Sequence, residues 1–234
     1  MPAGPPASPA PATSVAEVIA HMETIGAAVP AADGLACFNG MYLDVTRQVN
    51  SRLGQGFFAD PDFMTRLDVT FANLYFAAAG AAGDPAAAPL AWRPLMELRA
   101  EAGIEPIQFA LAGMNAHINH DLPIALVSTC QALATSPQAA PHFADYQKVD
   151  QLLDAAEQGI RQSFESAPEV TVDRHLMAVA NLIGNWSIAT ARDLAWNNCL
   201  LLWAVRDDPA ATGLLQDNLA AATALAGRLL LVAV

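Results

Sequence analysis

Apolar residues recur at intervals of three and four positions along most of this chain, which is the spacing of helices that bury one face. The first run covers residues 15–28. The second extends from Asp33, a typical N-cap residue, to about Arg52, and the third begins at Asp60, where a proline follows in the first helical turn. This pattern predicts three helices in the first third of the chain.

The rest of the chain continues in the same way. The predicted elements are, in order, a loop at 80–85, a short helix at 91–101, a central helix from Pro106 that Pro123 kinks or restarts, an amphipathic helix at 146–165, one long or two abutting helices at 174–205, and a last helix after Pro209. No alternating strand pattern, repeat or glycine-rich nucleotide-binding motif occurs. The sequence therefore predicts an all-α fold, a single multi-helix globular domain at residues 15–234 after a disordered, Pro- and Ala-rich lead-in at residues 1–14.

Composition agrees with a compact domain and argues against two classes of partner. Hydrophobic residues make up 54% of the 234 residues and charged residues only 15%, so the chain can bury a thick core. The net charge is −12, and Lys148 is the only lysine. Nucleic acids and anionic membrane surfaces attract basic clusters, which this chain lacks, so we expect neither as a partner.

The sequence shows no sign of export or membrane insertion. The N-terminus lacks the basic and apolar regions of a signal peptide, and the apolar segment 219–234 is shorter than the roughly 20 residues that span a bilayer. Cys37, Cys130 and Cys199 are far apart in apolar surroundings, which is typical of reduced, buried thiols. We expect a cytoplasmic protein whose last helix packs on its own body or on a second subunit, as in a homodimer.

The most polar interruption of the apolar pattern lies within the central helix. Residues 113–123 read GMNAHINHDLP and place five strongly polar side chains between the apolar runs 107–112 and 124–127. Burying such groups without partners costs about 1–3 kcal/mol each. The segment therefore predicts either a polar network in the core or a functional site.

One face of this helix carries the candidate chemistry. At 100° per residue, Gly113, His117, His120 and Asp121 lie on the same face, and the absent side chain of Gly113 leaves space beside His117. A His and an Asp four residues apart can chelate one divalent metal ion. Alternatively, Asp121 can accept a hydrogen bond from His117 and orient it as a general base.

The metal interpretation, with a divalent ion as cofactor, requires ligands from other segments. His117, His120 and Asp121 supply three at most, and complete sites usually need three or four. The other candidate ligands are Asp44, Asp68, His21 and His175. A structural network, a metal site and a metal-free acid/base site all remain open at this point.

Two further residues are ionisable and stand in apolar segments. Asp68 is flanked by Leu67 and Val69, which makes it a candidate buried carboxylate and a second catalytic group. Arg192 needs a carboxylate partner, for which Asp68 and Asp121 are the candidates, because a buried unpaired guanidinium is very costly. In a functional role, Arg192 would hold a substrate carboxylate or phosphate.

Amide and aromatic side chains are the other candidates for ligand contact. Asn115 and Asn119 are four residues apart on a face roughly opposite His117 and, with Gln108, are suited to tying neighbouring helices together. The side chains that we expect to contact a substrate are those of Asn73, Asn115, Asn119, Trp92 and Trp196. Core packing is an alternative use of the tryptophans, which include Trp186 and Trp203.

Four segments resemble one known family. They are QFALAGMNAHINHDLP at 108–123, DGLACFN at 33–39, LDVTFAN at 67–73 and WSIATARDLAW at 186–196. These segments are similar to DUF5995, an actinobacterial family of unknown function, over most of the chain after the lead-in. The resemblance implies a domain and not a reaction. It supports placing Asp68, His117, Asp121 and Arg192 in one cluster.

We therefore expect a polar pocket between the central helix and the helices that carry Asp68 and Arg192. The leading hypothesis is an enzyme that acts on a small, largely apolar molecule, such as a secondary metabolite or a lipid-like acid, by hydrolysis or by proton-transfer cyclisation or isomerisation. His117 is the predicted base or metal ligand, oriented or joined by Asp121. The alternatives are a non-catalytic protein that binds a hydrophobic ligand and a helical partner protein that dimerises through its C-terminus.

Overall fold

The computed structural model describes residues 10–165 and 187–233, and this part of the chain forms helices and turns without strands. The helices are α1 Val15–Ala28, α2 Gly34–Leu53, α3 Pro61–Gly80, α4 Arg93–Leu98, α5 Pro106–Ala116, α6 Leu122–Ala132, α7 His142–Glu165, α8 Ile188–Ala204 and α9 Pro209–Leu230. Two 3₁₀ turns, Pro85–Ala87 and Leu90–Trp92, precede α4, and a π-helical turn, His117–Asp121, joins α5 to α6. The predicted all-α fold is confirmed.

Capping side chains determine where the first three helices begin, as the sequence indicated for α2 and α3. Ser14 Oγ accepts a hydrogen bond from Glu17 N at the start of α1. Asp33 Oδ1 accepts one from Leu35 N at the start of α2. Asp60 Oδ1 accepts one from Phe63 N in α3. Each bond satisfies a backbone donor that has no partner within the helix, and it is worth about 1 kcal/mol.

The rod formed by α5, the π turn and α6 lies at the centre of the molecule. Every residue from Ile107 to Ile118 is buried. The rod contacts α2 and α9 through α5, and α3 and α8 through α6. A helix buried on all sides must be apolar nearly all round, so its few polar side chains have to find partners inside the protein.

The π turn accommodates Pro123 without ending the rod. Proline has no N–H to donate to the carbonyl four residues earlier, and its ring clashes with that carbonyl in an α-helix. Here the turn widens, so that Leu122 N donates to His117 O, five residues back. The predicted kink or restart is thus a π-helical insertion, which is a feature often found at functional sites.

Gly113 does not leave space beside His117, which corrects the sequence-based expectation. The ring of Phe38 fills the position, and a Cβ atom built on Gly113 would lie 2.4 Å from ring atoms of Phe38. The glycine therefore serves the close approach of α2 to α5 and does not provide a ligand cavity.

The predicted lead-in at residues 1–14 is ordered in the part that the structure describes. Ala12 is buried, and two hydrogen bonds join its backbone to the side chain of Asn73 on α3. Ala12 N donates to Asn73 Oδ1 at 2.8 Å, and Asn73 Nδ2 donates to Ala12 O at 2.9 Å. This pairing uses the side-chain amide of Asn73, a residue for which we expected substrate contact. Residues 1–9 lie outside the described ranges.

The C-terminal helix α9 packs on the body of the protein. Gln108 on α5 donates to the carbonyl oxygens of Leu230 and Val232, and Thr223 and Gly227 are buried. No helix in the described ranges is both long and apolar enough to cross a membrane. The three cysteines are free, as expected; Cys130 and Cys199 are also buried as predicted, whereas Cys37 is only partly buried.

We predicted one long or two abutting helices at 174–205, and the structure describes this segment only from residue 187 onward, with a helix from Ile188. The candidate metal ligand His175 and the side chain of Trp186 lie outside the described residues.

Candidate functional site

An apolar cavity of about 90 Å³ lies beside the central rod. A cavity of ~150 Å³ can hold benzene, so this one suits a smaller molecule or one end of a larger one. The polar or ionisable residues that line it are Tyr42, Thr46, Asp68, His117, Tyr146 and Arg192; the other lining residues are aliphatic, aromatic or methionine. The cavity thus collects three of the four predicted catalytic residues, while Asp121 stands behind His117.

Asp121 is the acceptor for three side-chain donors. His117 Nδ1 lies 3.0 Å and Trp92 Nε1 2.9 Å from its Oδ2, and His120 Nδ1 lies 2.7 Å from its Oδ1. The Asp121 side chain is only 3% exposed, so these bonds replace its hydration. Burial alone would raise the pKa of Asp121, but the hydrogen bonds from the two histidines outweigh this effect and lower the pKa.

This arrangement determines the protonation of His117. An ionised carboxylate only accepts hydrogen bonds, so the Nδ1 atom of His117 must carry a proton and donate it. Burial lowers the pKa of His117, although the hydrogen bond to Asp121 opposes the shift. The imidazole is therefore neutral at pH 7 and its Nε2 atom carries a free lone pair. Nε2 is buried and has no hydrogen-bond partner among the described residues.

Aromatic rings enclose the imidazole of His117. Phe71 stacks on it with ring centroids 3.5 Å apart and planes 4° from parallel, and Tyr42 meets it edge-on at 4.5 Å. Phe38, Tyr75 and Trp92 lie within about 6 Å. These rings exclude water from the imidazole, which is the physical cause of its lowered pKa.

Asp68 contributes a second unusual group to the cavity. Its Oδ2 is buried and has no hydrogen-bond partner in the described part of the chain. Burial raises the pKa of Asp68 from 3.8 to about 7. A large fraction of this carboxyl group therefore keeps its proton at neutral pH and can donate it. Asp68, predicted as a buried carboxylate, thus lies in the cavity wall with one buried oxygen, although the residue as a whole is only partly buried, and no arginine of the described residues pairs with it.

Two further hydroxyl groups in the cavity were missed by the sequence analysis. Tyr42 OH and Thr46 Oγ1 are buried and form no hydrogen bond of normal geometry with any described residue, although they are neighbours one turn apart on α2. Burial raises the pKa of Tyr42 well above 10, and the carboxylates of Asp68 and Asp121 add to this effect. The sequence did contain a signal for these two residues. Phe38, Tyr42 and Thr46 are spaced four residues apart and therefore share one face of a predicted helix.

Arg192 lines the cavity but its partner is not Asp68 or Asp121, which corrects the prediction. Its Nε donates to Asp150 Oδ1 and its Nη2 to the carbonyl of Tyr146. The guanidinium also lies over the Tyr146 ring, 4.0 Å from the centroid. The charge of Arg192 is therefore balanced within the protein by Asp150 on α7, a residue that the sequence analysis did not single out.

The residues for which we expected substrate contact lie away from the cavity. Asn115 donates to the carbonyl of Thr223 and accepts from Asn119, so the two amides link α5 to α9, as their anchoring role predicted. Trp92 supports Asp121, and Trp196 packs between Phe143 and Tyr146. Their ligand-binding role stays a prediction that their positions do not favour.

Three of the predicted metal ligands form hydrogen bonds with one another. The Nδ1 atoms of His117 and His120 both contact the carboxylate of Asp121. Asp44 is 72% exposed and lies near Arg47, while His21 packs against Phe76. Within residues 10–165 and 187–233, no three His, Cys, Asp or Glu side chains form a group that could hold a metal ion.

Comparison with known proteins gives one match. The model of a family of unknown function, DUF5995, matches residues 15–233. The chain belongs to DUF5995. No curated protein and no solved structure matches it. For this DUF5995 domain, the function therefore has to be argued from the cavity and its side chains.

Proposed function

We propose that this DUF5995 domain is an enzyme that transfers a proton within a small, largely apolar molecule, as an isomerase or cyclase does. His117 is the general base. The observation that carries the proposal is the geometry of His117: its Nδ1 lies 3.0 Å from Asp121 Oδ2, and its Nε2 is buried without a hydrogen-bond partner among the described residues. A base of this kind is worth roughly 10²–10⁴ in rate when a substrate proton lies within reach.

The second ionisable group of the cavity supports the same proposal. Enzymes that move protons combine a group that takes a proton with one that supplies a proton or a hydrogen bond. In this cavity, burial lowers the pKa of His117 and raises the pKa of Asp68 to about 7. The base is thus neutral and the acid is protonated in the same pH range, slightly below 7.

The apolar lining supports a small and largely apolar substrate. Side chains such as Met64, Met114 and Ile118 surround the polar groups. The same lining also suits a protein that binds a hydrophobic ligand without changing it. The two functions differ in whether the ligand is chemically altered.

The test is a screen of small uncharged compounds by ¹H NMR in D₂O. The compounds have up to about six non-hydrogen atoms and include ketones, alkenes, epoxides and alcohols. We expect at least one class to lose signal through proton exchange or conversion in the presence of the protein. His117→Gln should abolish this effect, because glutamine has no basic nitrogen.

The matched control is His21→Gln. His21 Nδ1 is also buried and unpartnered among the described residues, but the side chain does not line the cavity. This variant should act like the parent. Binding without chemical change would favour the ligand-binding alternative. If no compound is altered, or if the alteration survives in His117→Gln, the proposal is wrong.

A further inference from the structure

The cavity holds two hydroxyl groups and one carboxyl group with polar atoms that form no hydrogen bond of normal geometry among the described residues. These atoms are Tyr42 OH, Thr46 Oγ1 and Asp68 Oδ2. Unsatisfied buried polar atoms are uncommon in native proteins, and they often mark functional sites. Three such atoms line one cavity together with the unpartnered imidazole nitrogen of His117, an arrangement suited to a ligand that completes their hydrogen bonding.

The charge balance of the cavity limits what this ligand can be. Arg192 is the only arginine or lysine among the described lining residues, and its charge is balanced by Asp150. His117 is neutral. A bound carboxylate or phosphate would therefore be desolvated without a free positive charge to offset it, which is very unfavourable. An anionic ligand is therefore disfavoured, and the unpartnered hydroxyl groups suit an uncharged ligand that accepts hydrogen bonds.

We propose that the substrate is a small uncharged carbonyl compound whose oxygen accepts hydrogen bonds from the Tyr42 hydroxyl and the protonated Asp68 carboxyl, while His117 Nε2 removes a proton from the adjacent carbon. This inference rests on the proposed function and names its substrate class. A tyrosine and a protonated aspartic acid in an apolar site are known to stabilise an enolate oxygen in this way.

The chemical step needs no other reactant. His117 Nε2 takes the proton, and the electron pair of the broken C–H bond forms the C=C bond of the enolate. The π electrons of the carbonyl group move to its oxygen, which Tyr42 and Asp68 stabilise through their hydrogen bonds. His117 then returns the proton to the same carbon or to a conjugated one, so that the product is an isomer. Asp121 stabilises the transient imidazolium.

The protonation states favour this use of the donors. Burial raises the pKa of Tyr42 well above 10, so the hydroxyl keeps its proton. Burial also raises the pKa of Asp68 to about 7. Both groups are donors to an oxygen on which negative charge develops, and the apolar surroundings strengthen such bonds relative to water.

The experiment measures exchange of α-protons of acetone and 2-butanone with D₂O by ¹H NMR. We expect the parent protein to exceed the buffer rate. Tyr42→Phe should lower the protein-catalysed rate by about 10²-fold, as loss of one such donor does in other enzymes. Asp68→Leu should have an effect of similar size, whereas Asp68→Asn, which keeps an N–H donor, should retain much more activity.

A matched control and a second measurement separate donation from folding. Thr129→Val removes a buried hydroxyl that is also unpartnered among the described residues and does not line the cavity, so exchange should stay at the parent rate. In addition, the ¹³C carbonyl signal of bound [2-¹³C]acetone should move downfield with the parent and less with Tyr42→Phe. Circular dichroism establishes that each variant is folded.

The outcomes distinguish this inference from the proposed function. Exchange that depends on His117 but is unchanged in Tyr42→Phe and Asp68→Leu would refute the donor roles of Tyr42 and Asp68. The proposed role of His117 as the base would remain. Conversion of alkenes or epoxides, with no effect on ketones, would refute only the assignment of the substrate as a carbonyl compound. Absence of any chemical change in the full set of compounds overturns both.

Discussion

Phe71 covers one face of the His117 imidazole, with ring centroids 3.5 Å apart and an interplanar angle of 4°. The ring excludes water from that face, while Asp121 holds Nδ1 from the edge at 3.0 Å. The imidazole is thus oriented by one carboxylate and desolvated by its aromatic neighbours. These two effects together leave Nε2 as a fixed, unprotonated base.

The first prediction concerns the tautomer of His117. At pH 7, ¹⁵N NMR of histidine-labelled protein should show His117 as a neutral imidazole protonated at Nδ1, because Asp121 can only accept a hydrogen bond there. In Phe71→Ala, which exposes one face of the ring to water, the pKa of His117 should rise toward its ordinary value of 6.5. A parent His117 that titrates at or above 6.5 would contradict this assignment.

The second prediction concerns the stability that Asp121 provides. Asp121→Asn replaces one accepting oxygen by an amide donor, so His117, Trp92 and His120 cannot all keep their acceptor. We expect a loss of about 2–4 kcal/mol in the free energy of unfolding, measured with urea.

The matched control for Asp121→Asn is an exposed aspartate. Asp44→Asn changes a side chain that is 72% exposed, and its effect should stay within about 0.5 kcal/mol. Equal effects of the two substitutions would show that the hydrogen bonds to Asp121 add little stability.

The third prediction is a pH-dependent gain of stability in Asp68→Asn. The pKa of Asp68 is about 7 in the folded protein and 3.8 in the unfolded reference. Between these values the folded state keeps a proton that the unfolded state has lost, so this carboxyl makes the parent less stable as pH rises. The free energy of unfolding of the variant relative to the parent should therefore increase from pH 4 to pH 7, by up to about 1.4 kcal/mol per unit, and then level off.

Comparing the two proteins at each pH removes the effects of other groups. His117 and Asp121, whose pKa values are lowered by folding, destabilise both proteins as pH falls. Urea unfolding of the parent and Asp68→Asn at pH 4, 5, 6, 7 and 8 measures the difference. A difference that does not change with pH would mean that Asp68 ionises normally in the folded protein.

The fourth prediction tests the close approach of α2 and α5. Gly113→Ala places a Cβ atom 2.4 Å from the Phe38 ring, so the two helices must shift. We expect a loss of about 1–3 kcal/mol in the free energy of unfolding. Gly40→Ala is the control, since nothing lies within 4 Å of its added Cβ. It should instead stabilise α2 by about 0.5–1 kcal/mol. The same sign for both variants would refute the packing role of Gly113.

The fifth prediction concerns the ion pair of Arg192. Asp150→Asn leaves a guanidinium that is 7% exposed without its counter-charge, and we expect a loss of about 1–3 kcal/mol. Asp193→Asn, next to Arg192 in sequence but exposed, should have little effect. Thermal unfolding of both variants measures the contrast, and a larger effect at Asp193 would refute the assigned pair.

The sequence by itself determined the helices and the centre of the site. Periodic apolar positions, capping residues such as Asp33 and Asp60, and helix-initiating prolines are local signals, and they predicted where the first helices begin. The pair of His117 and Asp121 was also local, because residues four apart on one helix lie side by side.

Only the tertiary structure decided which distant side chains meet. It placed Phe38 over Gly113, paired Arg192 with Asp150, and brought Tyr42 and Asp68 into the lining of one cavity. A helical pattern in the sequence shows which residues share one face of a helix. It does not show which face of another helix will pack against them. That choice depends on how all the helices fill space together, so partners and cavities follow from packing and not from spacing along the chain.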